Sequence, residues 1–288
     1  MLEGLRTIFA QRPDPYADSK AKIPLGEVIA RNWLELWYQP KIDLRTMRLA
    51  GAEALVRARH PTRGVVAPFF FLPDANEEDL LKLTEMVILT ALGDWDIFND
   101  YGVPMKFAVN VPASAFVKLP IPQMLREARP KAPDWPGMIL EVTEDQIIHD
   151  LALANEVAAA LREQNCNLAI DDFGAGYSSL ARLRQLPFSE LKIDRSYVMN
   201  CDHDQVNAGL CETIVELGKR FRLKIVAEGI ETVHESHKLQ SIGVDVGQGY
   251  LYAKPMPKGE LIALMRRRMI GRSKPRSARG LLALAKVR

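Results

Sequence analysis

Eight short runs rich in aliphatic and β-branched residues, at 36–38, 49–56, 106–111, 138–142, 168–170, 190–193, 223–227 and 244–248, alternate with longer stretches whose apolar residues recur at helical spacing. The clearest of those stretches are 77–98, 151–164, 204–221 and 231–242. A strand, a helix and a strand in this rhythm imply a parallel sheet, because a crossover helix carries the chain back before the next strand begins. Eight such strands in 288 residues predict an α/β fold closed as a TIM-type (β/α)8 barrel. An open doubly wound sheet is the alternative, but no glycine-rich dinucleotide turn follows the first strand to support it.

No long linker interrupts the alternation, so a single barrel domain is expected over residues 21–265. Residues 1–20, with Pro13, Asp14 and Pro15 and little periodicity, read as a loose arm, and residues 266–288 as a tail. A chain that is 48% hydrophobic and 26% charged can fill such a core and is neither collagen-like nor wholly disordered. No run approaches the roughly 18 apolar residues of a membrane helix, and Glu3 and Arg6 do not suit a secretory leader, so a cytoplasmic protein is expected. Cys166, Cys201 and Cys211 have no metal or disulfide spacing and are expected to be reduced and packed. The net charge of +2 conceals an asymmetry: the tail carries nine Lys/Arg and no acid, leaving −7 on everything before it. An acidic body needs local cations, from side chains or metal, to hold a phosphate.

The strand ends are chemically distinctive. Glu53, Asn110, Glu141 with Thr143 and Glu144, Asp171 with Asp172, Lys192 with Asp194, Glu228 with Glu231, and Gln248 stand in or just after seven of the runs. In a parallel barrel those ends share one rim, where barrel active sites lie. One acid after a strand is ordinarily a helix cap or a solvated loop residue. So many around one mouth would repel unless cations neutralised them, and hard oxygen donors without Cys or His suit Mg²⁺ or Mn²⁺ rather than zinc. The adjacent Asp171 and Asp172 suit an ion pair in which one aspartate bridges two metals and the other binds one, a construction that clamps a phosphoryl group and activates water. Lys192, between Leu191 and Ile193 on a core strand, is placed to orient the nucleophile or stabilise developing charge.

Taken in order, Tyr38-Gln39-Pro40, Glu53-Ala54-Leu55 extended to Arg57, Asn110-Val111 and Glu141-Val142-Thr143-Glu144 are followed by Asp171-Asp172-Phe173-Gly174-Ala175-Gly176-Tyr177-Ser178-Ser179-Leu180. Leu191-Lys192-Ile193-Asp194, Ala227-Glu228-Gly229-Ile230-Glu231 and Gln248-Gly249-Tyr250 complete the series. Over about residues 20–265 the chain resembles the EAL-domain cyclic di-GMP phosphodiesterases.

The resemblance implies a barrel with one strand antiparallel to the rest, two Mg²⁺ or Mn²⁺ ions, and hydrolysis of cyclic di-GMP to linear pGpG, with Ca²⁺ inhibitory. It implies that Glu53, Asn110, Glu141 and Asp171 hold one metal, that Asp171, Asp172 and Glu228 serve the second, and that Lys192 contacts the attacking water. Glu53, Lys192 and Glu228 are thereby the expected catalytic residues. Gln39, Leu55, Arg57 and Gln248 match substrate-contacting positions, Arg57 being able to fork onto a phosphate. Residues 172–179 match a mobile loop, with Glu144 and Glu231 as its anchors. A homodimer formed near this loop is also implied. The chain departs from the pattern at Ala175, where Thr is usual, at Pro112, where Ser is common, and at Asp74 and Asn76 after Phe71-Leu72-Pro73.

Other functions lie close by. A receptor that binds cyclic di-GMP without turnover would be expected to lose metal ligands, and here each is present. An enolate-forming barrel enzyme would leave Arg57 and the Asp171-Asp172 pair unexplained. The basic tail admits docking on an anionic membrane surface or nucleic acid, with the barrel as a mere sensor.

Overall fold

The computed structural model describes residues 22–143, 151–173 and 188–270. The N-terminal arm, Glu144, residues 174–179 of the expected loop and the tail from Gly271 onward lie outside the described residues. A short helix, α1 (Leu25–Ala30), leads into β1 (Leu34–Asp43), which turns back as β2 (Arg48–His60) and β3 (Gly64–Val66). Next come α2 (Glu77–Asp100), β4 (Phe107–Asn110), α3 (Ala113–Lys118), α4 (Ile121–Ala128), β5 (Met138–Thr143), α5 (Leu151–Glu163) and β6 (Asn167–Phe173). The chain continues through β7 (Phe188–Ile193), α6 (Arg195–Val198), α7 (Gln205–Phe221), β8 (Lys224–Ala227), α8 (Val233–Ile242), β9 (Val246–Gly247), β10 (Met256–Pro257) and α9 (Lys258–Ile270).

The strands follow the order β1-β9-β8-β7-β6-β5-β4-β2, and β1 pairs with β2 as well, so the sheet closes on itself. Pairing is parallel from β2 through β9, whereas β1 is antiparallel to both its neighbours. The expected barrel with one reversed strand is therefore what forms. The cause is local: β1 and β2 are joined by a tight turn in which Asp43 Oδ1 accepts from Thr46 N at 2.6 Å and Met47 takes φ 53°. A connection that short can only make a hairpin.

Each strand is covered on its outer face. Val109, Leu140 and Leu168 pack with Leu83, Val87, Leu92, Trp95 and Leu161 from α2 and α5, and on the far side Leu191, Ile193, Ile225 and Ala227 pack with Ile214, Val215 and Leu239 from α7 and α8. Inside the barrel Ala108, Ile139 and Ala169 form a small apolar cluster of their own. Burial on both faces explains why the strands read as nearly unbroken apolar runs.

Helix ends are set by side chains. Asn76 accepts from Asp79 N at the start of α2, where Glu77, Glu78 and Asp79 also complement the helix dipole. The departure at Asn76 is thus a helix cap, while Asp74 pairs with Lys22 at 2.7 Å. Pro112, at φ −68°, starts α3 without disturbing the pairing of Asn110 with Glu141. Thr232 and Glu235 form a capping box on α8, which ends at Gly243 with φ 97°. Lys258, opening α9, reaches Asp94 at 2.6 Å, and Asp94 also accepts from the buried Tyr38 hydroxyl at 2.6 Å. The helix runs to Ile270, past the expected boundary at 265, and the Arg266 guanidinium lies 5.6 Å over the Tyr101 ring.

Candidate active site at the barrel mouth

Side chains alternate along a strand, so every second residue enters the barrel. On the rising strands these are Glu53, Asn110, Glu141, Asp171, Lys192 and, just past β8, Glu228; Gln39 enters from β1, opposite Glu53 in register. The apolar cluster closes the barrel beneath them, and above them lies a cavity of about 300 Å³ lined by Gln39, Glu53, Leu55, Asn110, Asp171, Asp172, Lys192, Glu228 and Gln248 among others. Residues separated by more than 200 positions thus meet at one rim.

Two groups share this mouth. In the first, Glu53 Oε1 accepts from Asn110 Nδ2 at 2.7 Å and Glu53 Oε2 from Gln248 Nε2 at 2.5 Å, and that same Gln248 nitrogen also lies 3.0 Å from Gln39 Oε1. Asn110 Oδ1 and Gln248 Oε1 are buried without a hydrogen-bond partner among the described residues. In the second, one carboxylate oxygen each from Asp171, Asp172 and Glu228 lie within 4.8 Å of one another. Buried polar atoms are normally satisfied; hard oxygens left unpartnered beside clustered carboxylates fit a divalent cation such as Mg²⁺ or Mn²⁺.

Adjacent residues in a regular strand point to opposite faces, yet Asp171 and Asp172 both reach the cluster. The pairing of β6 with β7 shifts register between Ile170 and Phe173, and Asp172 takes a left-handed φ of 53°, with its N–H donating to Asp171 Oδ1 at 2.9 Å. Such a bulge re-aims a side chain at the rim, and aspartate is among the residues that enter the left-handed region most readily.

Lys192, 1% exposed, lies under both groups: its Nζ is 2.6 Å from Glu228 Oε1, 2.8 Å from Glu141 Oε2 and 3.0 Å from Asp171 Oδ1. Burial would lower its pKa, but the three carboxylates hold it well above the ordinary value, so it stays an ammonium. Burial would raise Glu141, yet Lys192 and Lys41 hold that carboxyl down at about 2. Burial pushes Asp171 and Glu228 up against the pull of Lys192, and burial together with the Asp171 charge pushes Asp172 up to about 7.

Of the residues expected from sequence, Glu141 is fully buried, with Oε1 held by Lys41 and Oε2 by Lys192, so it would serve as a metal ligand only with the Lys192 ammonium moved aside. Arg57 does not line the cavity: its guanidinium lies 5.6 Å over the Trp37 ring and donates to Val56 O at 2.8 Å. Glu231 lines the cavity and accepts from Arg195 Nη2 at 2.6 Å. Lys41, whose Nζ lies 2.5 Å from Glu141 Oε1, is a neighbour of the site that sequence reading missed. Its signal was available, since a lysine two residues after Gln39 on one strand shares its inward face.

The EAL domain family model matches residues 25–255. The chain is 36% identical over 234 residues to the cyclic di-GMP phosphodiesterase PA2567 of Pseudomonas aeruginosa, covering 81% of this chain and 40% of that protein. It is 37% identical to the bifunctional diguanylate cyclase/cyclic di-GMP phosphodiesterase MucR of the same organism, covering 83% of this chain and 35% of that protein. It therefore spans well under half the length of these relatives. The solved structure of the PaMucR phosphodiesterase in complex with c-di-GMP superposes with a TM-score of 0.75 at 36% identity, covering 82% of this chain and 97% of that one. The calcium/cy-diGMP complex of Klebsiella pneumoniae BlrP1 superposes with a TM-score of 0.66 at 26% identity, over 79% and 57% of the two chains. A closed barrel with one reversed strand, an acid-lined mouth and a family match over residues 25–255 place this chain in the EAL-domain family.

Proposed function

We propose that this protein hydrolyses one phosphodiester of cyclic di-GMP to give linear pGpG, with two Mg²⁺ or Mn²⁺ ions at the barrel mouth. The observation that carries this reading is the convergence of Asp171, Asp172 and Glu228 within 4.8 Å above the buried Lys192. Asp171, Asp172 and Glu228 would hold one ion; Glu53, Asn110 through its unpartnered Oδ1, Glu141 and Asp171 would hold the other. Bound divalent ions supply Lewis acidity toward the phosphoryl oxygens and acidify water.

The chain's own groups do the rest. Lys192 holds a fixed positive charge among carboxylates at the place where negative charge grows, and costs no reorganisation at the moment of reaction. Glu228, whose Oε1 lies 2.6 Å from Lys192 Nζ, would stand as a carboxylate at that centre, between the ion and the ammonium. Gln39, Leu55 and Gln248 line the cavity where the substrate would lie, and Arg57 would reach a phosphate only by leaving the Trp37 face. Glu144 and Glu231 would anchor the loop following Asp172. The protein would work in the cytoplasm as a homodimer; no described helix is long and apolar enough to cross a membrane. The basic tail would add weak docking on an anionic membrane surface or nucleic acid.

Purified protein incubated with cyclic di-GMP and Mg²⁺ should release pGpG, and Ca²⁺ in place of Mg²⁺ should hold the substrate with little turnover, because calcium favours longer and looser coordination. Binding of cyclic di-GMP without pGpG in Mg²⁺ or Mn²⁺ would establish a silent receptor instead.

A further inference from the structure

Glu141 is clamped from two directions. Lys192 reaches its Oε2 at 2.8 Å from the side of the mouth, and Lys41 reaches its Oε1 at 2.5 Å from below. The two lysines are not equivalent. Lys192 also meets Asp171 and Glu228, while among the described residues Lys41 donates to Glu141 alone. Lys41 is 5% exposed and lines a second cavity of about 530 Å³ at the opposite end of the barrel, near Lys106, Glu190 and Lys224. The reversed direction of β1 puts it there. Gln39 pairs with Glu53 at the rim, and two residues on, Lys41 pairs with Gly51 one layer lower. Gly51 is required at that crossing, because a Cβ would lie 2.6 Å from the Lys106 carbonyl oxygen.

We infer that Lys41 is a positioning residue for Glu141, holding one carboxylate oxygen from beneath so that the other faces the place where a divalent ion binds. A carboxylate on a flexible side chain would otherwise turn about its last torsion, whose preferences are broad. The Lys192 ammonium can pass to its other carboxylate partners when a cation arrives. Lys41, which among the described residues hydrogen-bonds to Glu141 alone, stays on Oε1. Asn110, paired in register with Glu141, carries its unpartnered Oδ1 alongside. The inference rests on the metal-dependent reading above and adds to it a support on the far side of the barrel from the substrate.

The test uses the full chain with Lys41→Met, which keeps the length of the side chain and removes its charge. Mn²⁺ binding, followed by calorimetric titration without substrate, should weaken about ten- to a hundredfold, the scale of losing a group that orients a metal ligand. The kcat for cyclic di-GMP should fall while KM stays within about twofold, since Lys41 lies away from the substrate cavity. In a Glu141→Gln background the same change should alter Mn²⁺ affinity by no more than about twofold, because the route through Glu141 is already gone. Propylammonium, entering Lys41→Ala by the lower cavity, should restore part of the lost affinity. Should Lys41→Met fail to fold by circular dichroism, Lys41→Gln carries the same comparisons. Unchanged Mn²⁺ affinity in the folded variant, or an equal loss in the Glu141→Gln background, would overturn the role of Lys41. Wild-type protein that neither binds Mn²⁺ nor releases pGpG would instead overturn the functional reading itself.

Discussion

Lys192 Nζ lies 2.6 Å from Glu228 Oε1, so the ammonium that underlies both groups of the mouth is bound to the carboxylate that closes the ring of acids at β8. Removing it separates two of its effects. Lys192→Met should lower kcat by about a hundredfold or more, the scale of losing one transition-state donor, with KM for cyclic di-GMP little changed. It should also destabilise the metal-free protein by about 3–5 kcal/mol near neutral pH, because buried carboxylates lose their compensating charge. Saturating Mg²⁺ should recover much of that stability in thermal melts. A loss confined to KM would refute the role assigned to Lys192.

Glu53 binds both Asn110 and Gln248, and Glu53→Ala would take the acceptor of Asn110 Nδ2 and leave Gln248 Nε2 with Gln39 Oε1 alone. Hydrolysis in Mg²⁺ should become undetectable while circular dichroism still reports a folded barrel, since the residue sits on the rim and not against the helices. Near-normal Mg²⁺-dependent release of pGpG would remove Glu53 from the metal site.

The acids predict a pH signature in metal-free protein. A carboxylate whose folded pKa is raised binds more protons folded than unfolded, so its contribution favours folding below the unfolded pKa and is lost as pH rises through the folded value. For Asp172, pushed up to about 7, the window runs from about 4 to about 7, with Asp171 and Glu228 acting in the same direction. A bound cation needs these groups deprotonated, so the increase in melting temperature on adding Mg²⁺ should be larger at pH 7.5 than at pH 5.5. Equal increments at the two pH values would count against the cluster as the metal site.

Gly249 follows Gln248 and has no room for a side chain: a Cβ there would lie 2.1 Å from the Ile230 carbonyl oxygen and 2.3 Å from its nitrogen. Gly249→Ala should destabilise the protein by about 1–3 kcal/mol through forced backbone movement. Because Ile230 N donates to Gln248 O at 3.1 Å, that movement should also disturb the Gln248–Glu53 contact and lower turnover more than Gly209→Ala, which has open space around it. Denaturant melts and initial rates on the two variants provide the comparison.

The basic tail can be tested by truncation after Ile270, which keeps Leu261, Ile262 and Met265 of α9 in the core. Turnover should be unchanged, and salt-sensitive binding to anionic vesicles should be lost. Full-length protein that ignores such vesicles at low salt would end the membrane reading.

The eight barrel strands and four of the five longest described helices were legible in the sequence, α9 being the exception, because each is a local pattern: burial on both faces leaves an apolar run, and burial on one face of a helix leaves a period near 3.6. Residue types at the strand ends pointed to the proposed chemistry, since oxygen donors without Cys or His suit hard cations whatever the detailed geometry. β1 shows where local pattern fails. Its expected extent was 36–38, yet it runs over Leu34–Asp43, because Gln39 and Lys41 are polar residues turned into the barrel and look like loop to any apolar count. Three facts belonged to tertiary structure alone: the left-handed turn at Asp172 that brings adjacent aspartates to one side, the stacking of Arg57 on Trp37 outside the cavity, and the grip of Lys41 on Glu141 across 100 residues. Each depends on which side chains meet after the barrel closes, and closure joins groups that no local spacing relates.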